Sequence, residues 1–262
     1  MTTQLNIACI QWDIVWENKA ANHEIVKNLV SLANIAPRSI IILPEMFDTG
    51  FSLQVDVTCD DHHHSMTFLS TLAKQTQCTI IAGITIKNKN NKGENQSITI
   101  NPDGDLVCKY TKLHPFTLSR EDQYFDAGTK TEVFKVHDFT FAPLICYDLR
   151  FPETFRNTVL QGADVYSVIA NWPKKRADHF TTLLKARAIE NQAYVIGVNR
   201  IGSDPNLDYA GGSQIISPIG EILASAGDQP EVIQATIRLE SQRDYRKEFP
   251  VLKDIRKEDG NI

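Results

Sequence analysis

The sequence predicts an α/β fold of two mixed β-sheets packed face to face, with helices on the outside. Three observations predict it. Two apolar, β-rich runs near the start flank a stretch with helical spacing, which makes a βαβ unit and implies a mixed or parallel sheet covered by helices. Two strand pairs joined by short turns follow. The order of strands and helices in the second half is then similar to that in the first, with no repeat of the sequence itself.

Taken in order, Leu5 to Trp12 reads as a first buried strand. Residues 19–36 place Ile25, Leu29, Leu32, Ala33 and Ala36 on one stripe of an amphipathic helix, which Pro37 ends. Ser39 to Leu43 is a fully buried strand closed by Pro44-Glu45. Residues 48–64 are polar and read as a loop. It contains His62, His63 and His64; three adjacent histidines cannot all face one metal from a regular element, so a solvated loop is expected. Ser65 to Gln77 is a second helix, Thr79 to Ile86 a strand, and 87–94 a polar hairpin loop. Gln96 to Ile100 and Leu106 to Tyr110 pair around Asn101-Pro-Asp-Gly-Asp105, a strong turn signal.

Thr111 to Lys130 has no period and is expected as a long loop over a site. Val133 to Val136 and Phe139 to Ile145 form the next hairpin. Pro152 opens a helix, because proline fits a first turn, and Gly162 stops it after Gln161. Val165 to Ala170 is a strand, 171–176 a loop, Asp178 to Gln192 a helix and Tyr194 to Val198 a strand. A Gly/Asp/Pro-rich loop spans 202–212. Ser213 to Ile216 and Glu221 to Ala224 are strands around Ser217-Pro-Ile-Gly220, and Val232 to Ile237 is the last strand. The charged end, from about 240, is expected as a helix and then a C-terminal tail. No stretch has linker composition, so residues 1–262 are expected to form a single domain.

The hydrophobic fraction of 42% is enough for a full core. Net charge is −5, from 32 acidic and 27 basic residues. No basic stripe points to nucleic acid and no charge block to an interaction tail. No apolar run is long enough for a transmembrane helix, and the start lacks a secretory signal pattern. Five widely spaced cysteines, Cys9, Cys59, Cys78, Cys108 and Cys146, argue against a disulfide framework or a zinc site. They point to a reducing, cytoplasmic setting.

The chemistry concentrates where buried strands run out. Glu45 follows Ile40-Ile-Ile-Leu-Pro, Lys112 lies just past the strand ending at Tyr110, and Cys146 follows Leu144-Ile145. Each has a plain alternative: a small hydrophobe, a surface lysine, a helix N-terminal charge. Together they compose a mechanism. A carboxylate takes a thiol proton and later activates water. The cysteine attacks an acyl carbon and holds it as a thioester. The lysine, with the N–H of Tyr147, stabilises the oxyanion. A buried Lys112 requires a carboxylate partner.

Leu43-Pro-Glu45-Met-Phe47, Lys109-Tyr-Thr-Lys112-Leu-His114 and Leu144-Ile-Cys146-Tyr-Asp-Leu-Arg-Phe-Pro152 resemble the three signature segments of the nitrilase superfamily of carbon–nitrogen hydrolases, in order along nearly the whole chain. Ala170-Asn-Trp-Pro173, Ala186-Arg-Ala-Ile-Glu-Asn-Gln192 and Asn199-Arg-Ile-Gly202 extend the resemblance to the omega-amidase branch. The resemblance implies a four-layer α-β-β-α sandwich, with Glu45 as general base, Lys112 as oxyanion stabiliser and Cys146 as nucleophile. Glu121 matches the family's second glutamate, set to orient Lys112 or substrate; its plain alternative is an exposed loop charge. The implied reaction is hydrolysis of the terminal amide of a 2-oxo acid such as 2-oxoglutaramate or 2-oxosuccinamate, giving ammonia and a dicarboxylate. No cofactor or metal is implied, and a homodimer is.

The far carboxylate of such a substrate requires a cation or N–H donors. Arg176 is the expected partner, with Lys174 and Lys175 in a solvated loop; Tyr147 and Trp172 are expected as walls, and His114 and Phe116 at the entrance. Arg150 is expected to pair with Asp148 beneath the cysteine bend. The rival readings are another amidase, nitrilase or carbamoylase with the same triad, a binding or scaffold protein that keeps the fold, and a thiol redox sensor. A sensor needs a second cysteine near Cys146, and sequence position gives none.

Overall fold

The computed structural model describes residues 3–256. Along the chain it runs β1 (Gln4–Gln11), α1 (Lys19–Leu32), β2 (Ile40–Ile42), α2 (Val55–Thr58), α3 (His64–Thr76), β3 (Thr79–Lys87), β4 (Gly93–Ile100) and β5 (Leu106–Thr111). There follow α4 (Glu121–Tyr124), β6 (Phe134–Val136), β7 (Phe139–Ile145), α5 (Pro152–Leu160), β8 (Val165–Ala170), α6 (Ala177–Asn191) and β9 (Tyr194–Asn199). The remainder is β10 (Ile201–Ser203), β11 (Asp208–Ala210), β12 (Gln214–Ile216), β13 (Ile222–Ser225), β14 (Glu231–Arg238) and α7 (Leu239–Glu248).

Two six-stranded sheets have the orders β14-β1-β2-β3-β4-β5 and β13-β12-β9-β8-β7-β6. Both are mixed: β1, β2 and β3 run parallel in one, β7, β8 and β9 in the other, with antiparallel strands at the edges. Period-two alternation sorts the first sheet's side chains between layers. Ile7, Cys9, Ile40, Ile42 and Ile81 pack into the same core as Phe141, Val168 and Ile196 of the second sheet. Ala8, Ile10, Ile41, Ile80 and Ala82 face the other way, onto Val26 and Val30 of α1 and Leu69 and Leu72 of α3. Phe155 and Val159 of α5 and Phe180, Leu184 and Ala188 of α6 cover the second sheet. The layers are therefore α-β-β-α, as expected.

Local chemistry explains the boundaries. The Asn18 side chain accepts from Ala21 N and caps α1. Pro152 opens α5 at its first turn. Four expectations need correction. Residues 48–64 include the short helix α2, and the stretch from Thr111 to Lys130 holds a 3-10 turn (Thr117–Ser119) and α4. The loop over 202–212 contains the β10–β11 hairpin. The polar loop over 87–94 is shorter, because β3 continues to Lys87 and β4 begins at Gly93. In the first three, hydrogen bonds close over too few residues for a periodic pattern to register; in the fourth, the β3–β4 ladder simply runs on through polar residues.

His62, His63 and His64 are exposed, as expected. The charged end from 240 begins as α7 and is docked rather than free. Gln242 Nε2 donates to Asp164 O (2.9 Å) and Gln192 O (3.0 Å), and Arg246 reaches Asp164 Oδ1 (3.1 Å) and Ala163 O (2.9 Å). Residues 257–262, the end of the expected tail, lie outside the described residues.

Candidate active site

Four strands end at one place between the sheets. Past β2 lies Glu45, past β5 Lys112, past β7 Cys146, and past β8 Asn171. All are buried: Glu45 0%, Lys112 1%, Cys146 8% and Asn171 4% exposed. The backbone is left-handed at both bends, with φ +46° at Cys146 and +43° at Met46, beside Glu45. Such outliers in non-glycine residues concentrate at functional sites. Gly83 of β3 makes room for the second bend: a Cβ there would lie 2.6 Å from both Glu45 Cα and Met46 N.

A buried ion cluster forms the floor. Lys112 Nζ lies 2.9 Å from Glu45 Oε1, 2.9 Å from Glu121 Oε2 and 3.2 Å from Glu121 Oε1. Asn95 Nδ2 donates to Glu45 Oε1 (2.8 Å) and Glu121 Oε1 (3.0 Å). Phe116 N donates to Glu121 Oε2 (2.6 Å). Asn171 N donates to the other oxygen of Glu45, Oε2 (2.8 Å), and Asn171 Nδ2 to Glu45 O (2.6 Å). Burial alone would lower the Lys112 pKa; Glu121 and Glu45 outweigh it and raise it, so the ammonium stays charged. Burial first, and Glu45 next, push the Cys146 thiol well above its ordinary value, against an opposing pull from Lys112. That balance favours the thiol over the thiolate in the resting site.

Asp148 holds the cysteine bend to the lysine-bearing segment. Its carboxylate accepts from Tyr110 OH (2.7 Å), Ile145 N (3.0 Å) and His114 N (3.0 Å), and contacts His114 Nδ1 (2.8 Å). Burial, then Asp148, keep the Tyr110 phenol protonated and donating. Above the floor, Phe51, Phe116, Tyr147, Trp172, Pro173 and Leu207 wall a cavity that also presents Lys112, Cys146, Arg150, Asn171 and Arg176. Arg150 lies over the Trp172 ring at 4.7 Å and Arg176 over Phe116 at 5.5 Å. Neither has a carboxylate partner among the described residues. Burial, then the nearby Arg176 charge, lower the Arg150 pKa. No group of three or more His, Cys, Asp or Glu side chains is placed to hold a metal among the described residues.

A family model described as carbon-nitrogen hydrolase matches residues 6–247. The chain belongs to the carbon–nitrogen hydrolase family. It is a hydrolase of carbon–nitrogen bonds other than peptide bonds, within the nitrilase superfamily. It is 35% identical over 254 residues to a Bacillus subtilis protein named 2-oxoglutaramate amidase, covering 96% of this chain and 98% of that one. It is 38% identical over 256 residues to Escherichia coli omega-amidase YafV, covering 95% and 96%. A Xanthomonas campestris CN-hydrolase superfamily structure, with an arsenic adduct in its active site, superposes with TM-score 0.91 at 32% identity, over 97% and 98% of the two chains. Saccharomyces cerevisiae Nit3, of branch 10 of the nitrilase superfamily, does so with TM-score 0.86 at 25% identity, over 97% of each.

In this carbon–nitrogen hydrolase, Glu45, Lys112, Glu121 and Cys146 do come together, and Tyr147, Phe116, Trp172 and Arg176 line the cavity. Lys174 and Lys175 are exposed. Two expectations fail. His114 does not line the cavity: its ring stacks on Phe151 at 3.7 Å and is held by Asp148. Arg150 does not pair with Asp148. That carboxylate is already occupied by Tyr110, His114 and Ile145, and the guanidinium faces the cavity instead. Sequence reasoning also missed Asn95 and Asn171. Asn95 lies on β4 beside Gln96, Ser97 and Thr99, polar residues whose burial only the fold reveals.

Proposed function

We propose that the chain, acting as one domain, is a cysteine amidase that removes ammonia from the terminal amide of omega-amido 2-oxo acids such as 2-oxoglutaramate and 2-oxosuccinamate. The observation that carries the substrate class is the pair of guanidinium groups, Arg150 and Arg176, in the same apolar-walled cavity as Cys146 and without acidic partners among the described residues. A substrate with a carboxylate at one end and an amide at the other satisfies both ends of that cavity. The names of the Bacillus subtilis and Escherichia coli relatives support the same reading.

Glu45 takes the Cys146 proton as sulfur bonds to the amide carbon, since burial disfavours a thiolate formed in advance. The carbonyl oxygen becomes an oxyanion facing Lys112 and the N–H of Tyr147, a first-turn donor with no acceptor inside its own turn. Glu45 returns the proton to nitrogen, the C–N bond breaks and ammonia leaves, giving a thioester. Glu45 then takes a proton from water, whose oxygen attacks the thioester. The C–S bond breaks, Glu45 returns that proton to the sulfur, and the acid is released.

The protein is proposed to work as a homodimer in the cytoplasm. The deciding experiment measures ammonia release from 2-oxoglutaramate, 2-oxosuccinamate, an aliphatic nitrile and a carbamoyl amino acid. The oxo-acid amides are expected to lead in kcat/KM. A preference for the nitrile or the carbamoyl compound would remove the substrate assignment.

A further inference from the structure

We infer that Asn95 is a positioning residue for the proposed reaction: its amide bridges the two buried glutamates and sets which oxygen of Glu45 is free to move protons. The cluster holds two carboxylates and one ammonium, so it carries one more acid than base. Two like charges sharing a single counter-ion repel, and in a buried site that repulsion is poorly screened. Asn95 is 1% exposed and places its Nδ2 2.8 Å from Glu45 Oε1 and 3.0 Å from Glu121 Oε1. Only the NH2 end of the amide fits there, because its carbonyl oxygen would face two carboxylate oxygens. The Oδ1 end has no partner among the described residues, so the side chain's bonding is spent wholly on the two acids.

The backbone of Asn95 serves the same cluster. Its carbonyl accepts from Lys112 N at 2.9 Å, which fixes the strand register that brings the lysine to its acids. Glu45 Oε1 is thus occupied by Lys112 and Asn95 at 2.9 and 2.8 Å, while Oε2 receives one close donor, Asn171 N at 2.8 Å, and one long one, Asn171 Nδ2 at 3.5 Å. That leaves Oε2 as the oxygen with lone-pair capacity for the Cys146 proton and later for water's.

The inference rests on the proposed roles of Glu45 and Cys146, and its test has one readout that needs no substrate. Asn95→Asp keeps the shape and replaces two N–H donors with a third acid. Asn95→Ser keeps one donor, too short to bridge. For Asn95→Asp, kcat at pH 7 is expected to fall about 100-fold. The acid limb of kcat/KM should move up by about one pH unit or more. KM should stay within about threefold, the sign of a residue that acts on proton transfer rather than on binding. Asn95→Ser should show a smaller loss and a smaller displacement. Independently, alkylation of Cys146 by iodoacetamide at pH 8, followed by mass spectrometry, should slow about tenfold in Asn95→Asp, because added negative charge disfavours the thiolate. An acid limb and an alkylation rate that both stay at wild-type values in a folded Asn95→Asp protein overturn the inference. So does a loss that falls on KM alone, or failure of both variants to fold, which would assign the amide to the framework. If the wild type hydrolyses no amide in the panel, the substrate reading falls and the alkylation profile still decides on Asn95.

Discussion

Replacing Glu121 by glutamine changes one oxygen to nitrogen, yet the structure makes it a severe test. Every group around the Glu121 carboxylate is a donor: Lys112 Nζ on both oxygens, Asn95 Nδ2 on one and Phe116 N on the other. A glutamine must aim its NH2 at two of these donors, whichever way it is turned. An ion pair at 2.9 Å has a Coulomb energy of roughly 6 kcal/mol at an effective dielectric of about 20. Desolvation offsets part of it, and truncating one partner of a buried pair usually costs about 3–5 kcal/mol. Here Lys112 keeps Glu45, so the lower end, about 3 kcal/mol, is expected in urea unfolding. Activity should suffer more. With Glu121 neutral, Lys112 is drawn wholly to Glu45, and a misplaced oxyanion donor costs about 100-fold in kcat or more. Ammonia release under saturating substrate, beside urea melts of the same preparation, measures both. A Glu121→Gln protein with wild-type kcat and midpoint would show that the acid is an ordinary loop charge with no part in holding Lys112.

Gly83→Ala should cut kcat at least tenfold, because its methyl collides with the Glu45–Met46 backbone, and should cost about 1–3 kcal/mol in thermal melts; wild-type activity would mean the bend tolerates displacement. Cys146→Ala and Cys146→Gly should both be inactive, but the glycine protein should melt higher, since a left-handed residue with a Cβ carries about 1–2 kcal/mol of strain; equal melting points would refute the strain. Asp48 offers a test by pH. Burial, eased by its bond from Ser65, pushes this carboxyl up from 3.8 to about 6. The folded protein therefore binds a proton here between pH 6 and 4 that the unfolded chain does not, and this contribution to stability grows as pH falls through that window. Asp48→Asn should be more stable than wild type at pH 8 by up to about 3 kcal/mol, with the difference gone near pH 4. A difference independent of pH would refute the assignment.

The parts of this molecule that sequence made legible are those written in contiguous runs. Ile40–Leu43 and Phe139–Ile145 announce buried strands, and a reactive residue just past each is easy to notice. Asn95 and Asn171 were not legible, because their meaning lies with Glu45, 50 and 126 positions away, and neither carries charge. Arg150 misled for a similar reason. Asp148 is its near neighbour in sequence, but the acid's real partners are Tyr110 and His114, supplied by the other sheet and the segment past it. Short hydrogen-bonded pieces such as α2, α4 and the β10–β11 hairpin are set by contacts with neighbours, not by any pattern of their own.

The two halves of the chain divide the chemistry by kind. Glu45, Asn95, Lys112 and Glu121 all precede residue 126, whereas Cys146, Arg150, Asn171 and Arg176 all follow residue 133. A chain severed between those points leaves one piece with the acids and the ammonium and another with the sulfur, each unable to complete a cycle. The later piece also holds β14, which zips along all eight residues of β1 and so finishes the sheet of the earlier piece. Turnover in a mixture of the two pieces would then report whether β14 had found β1.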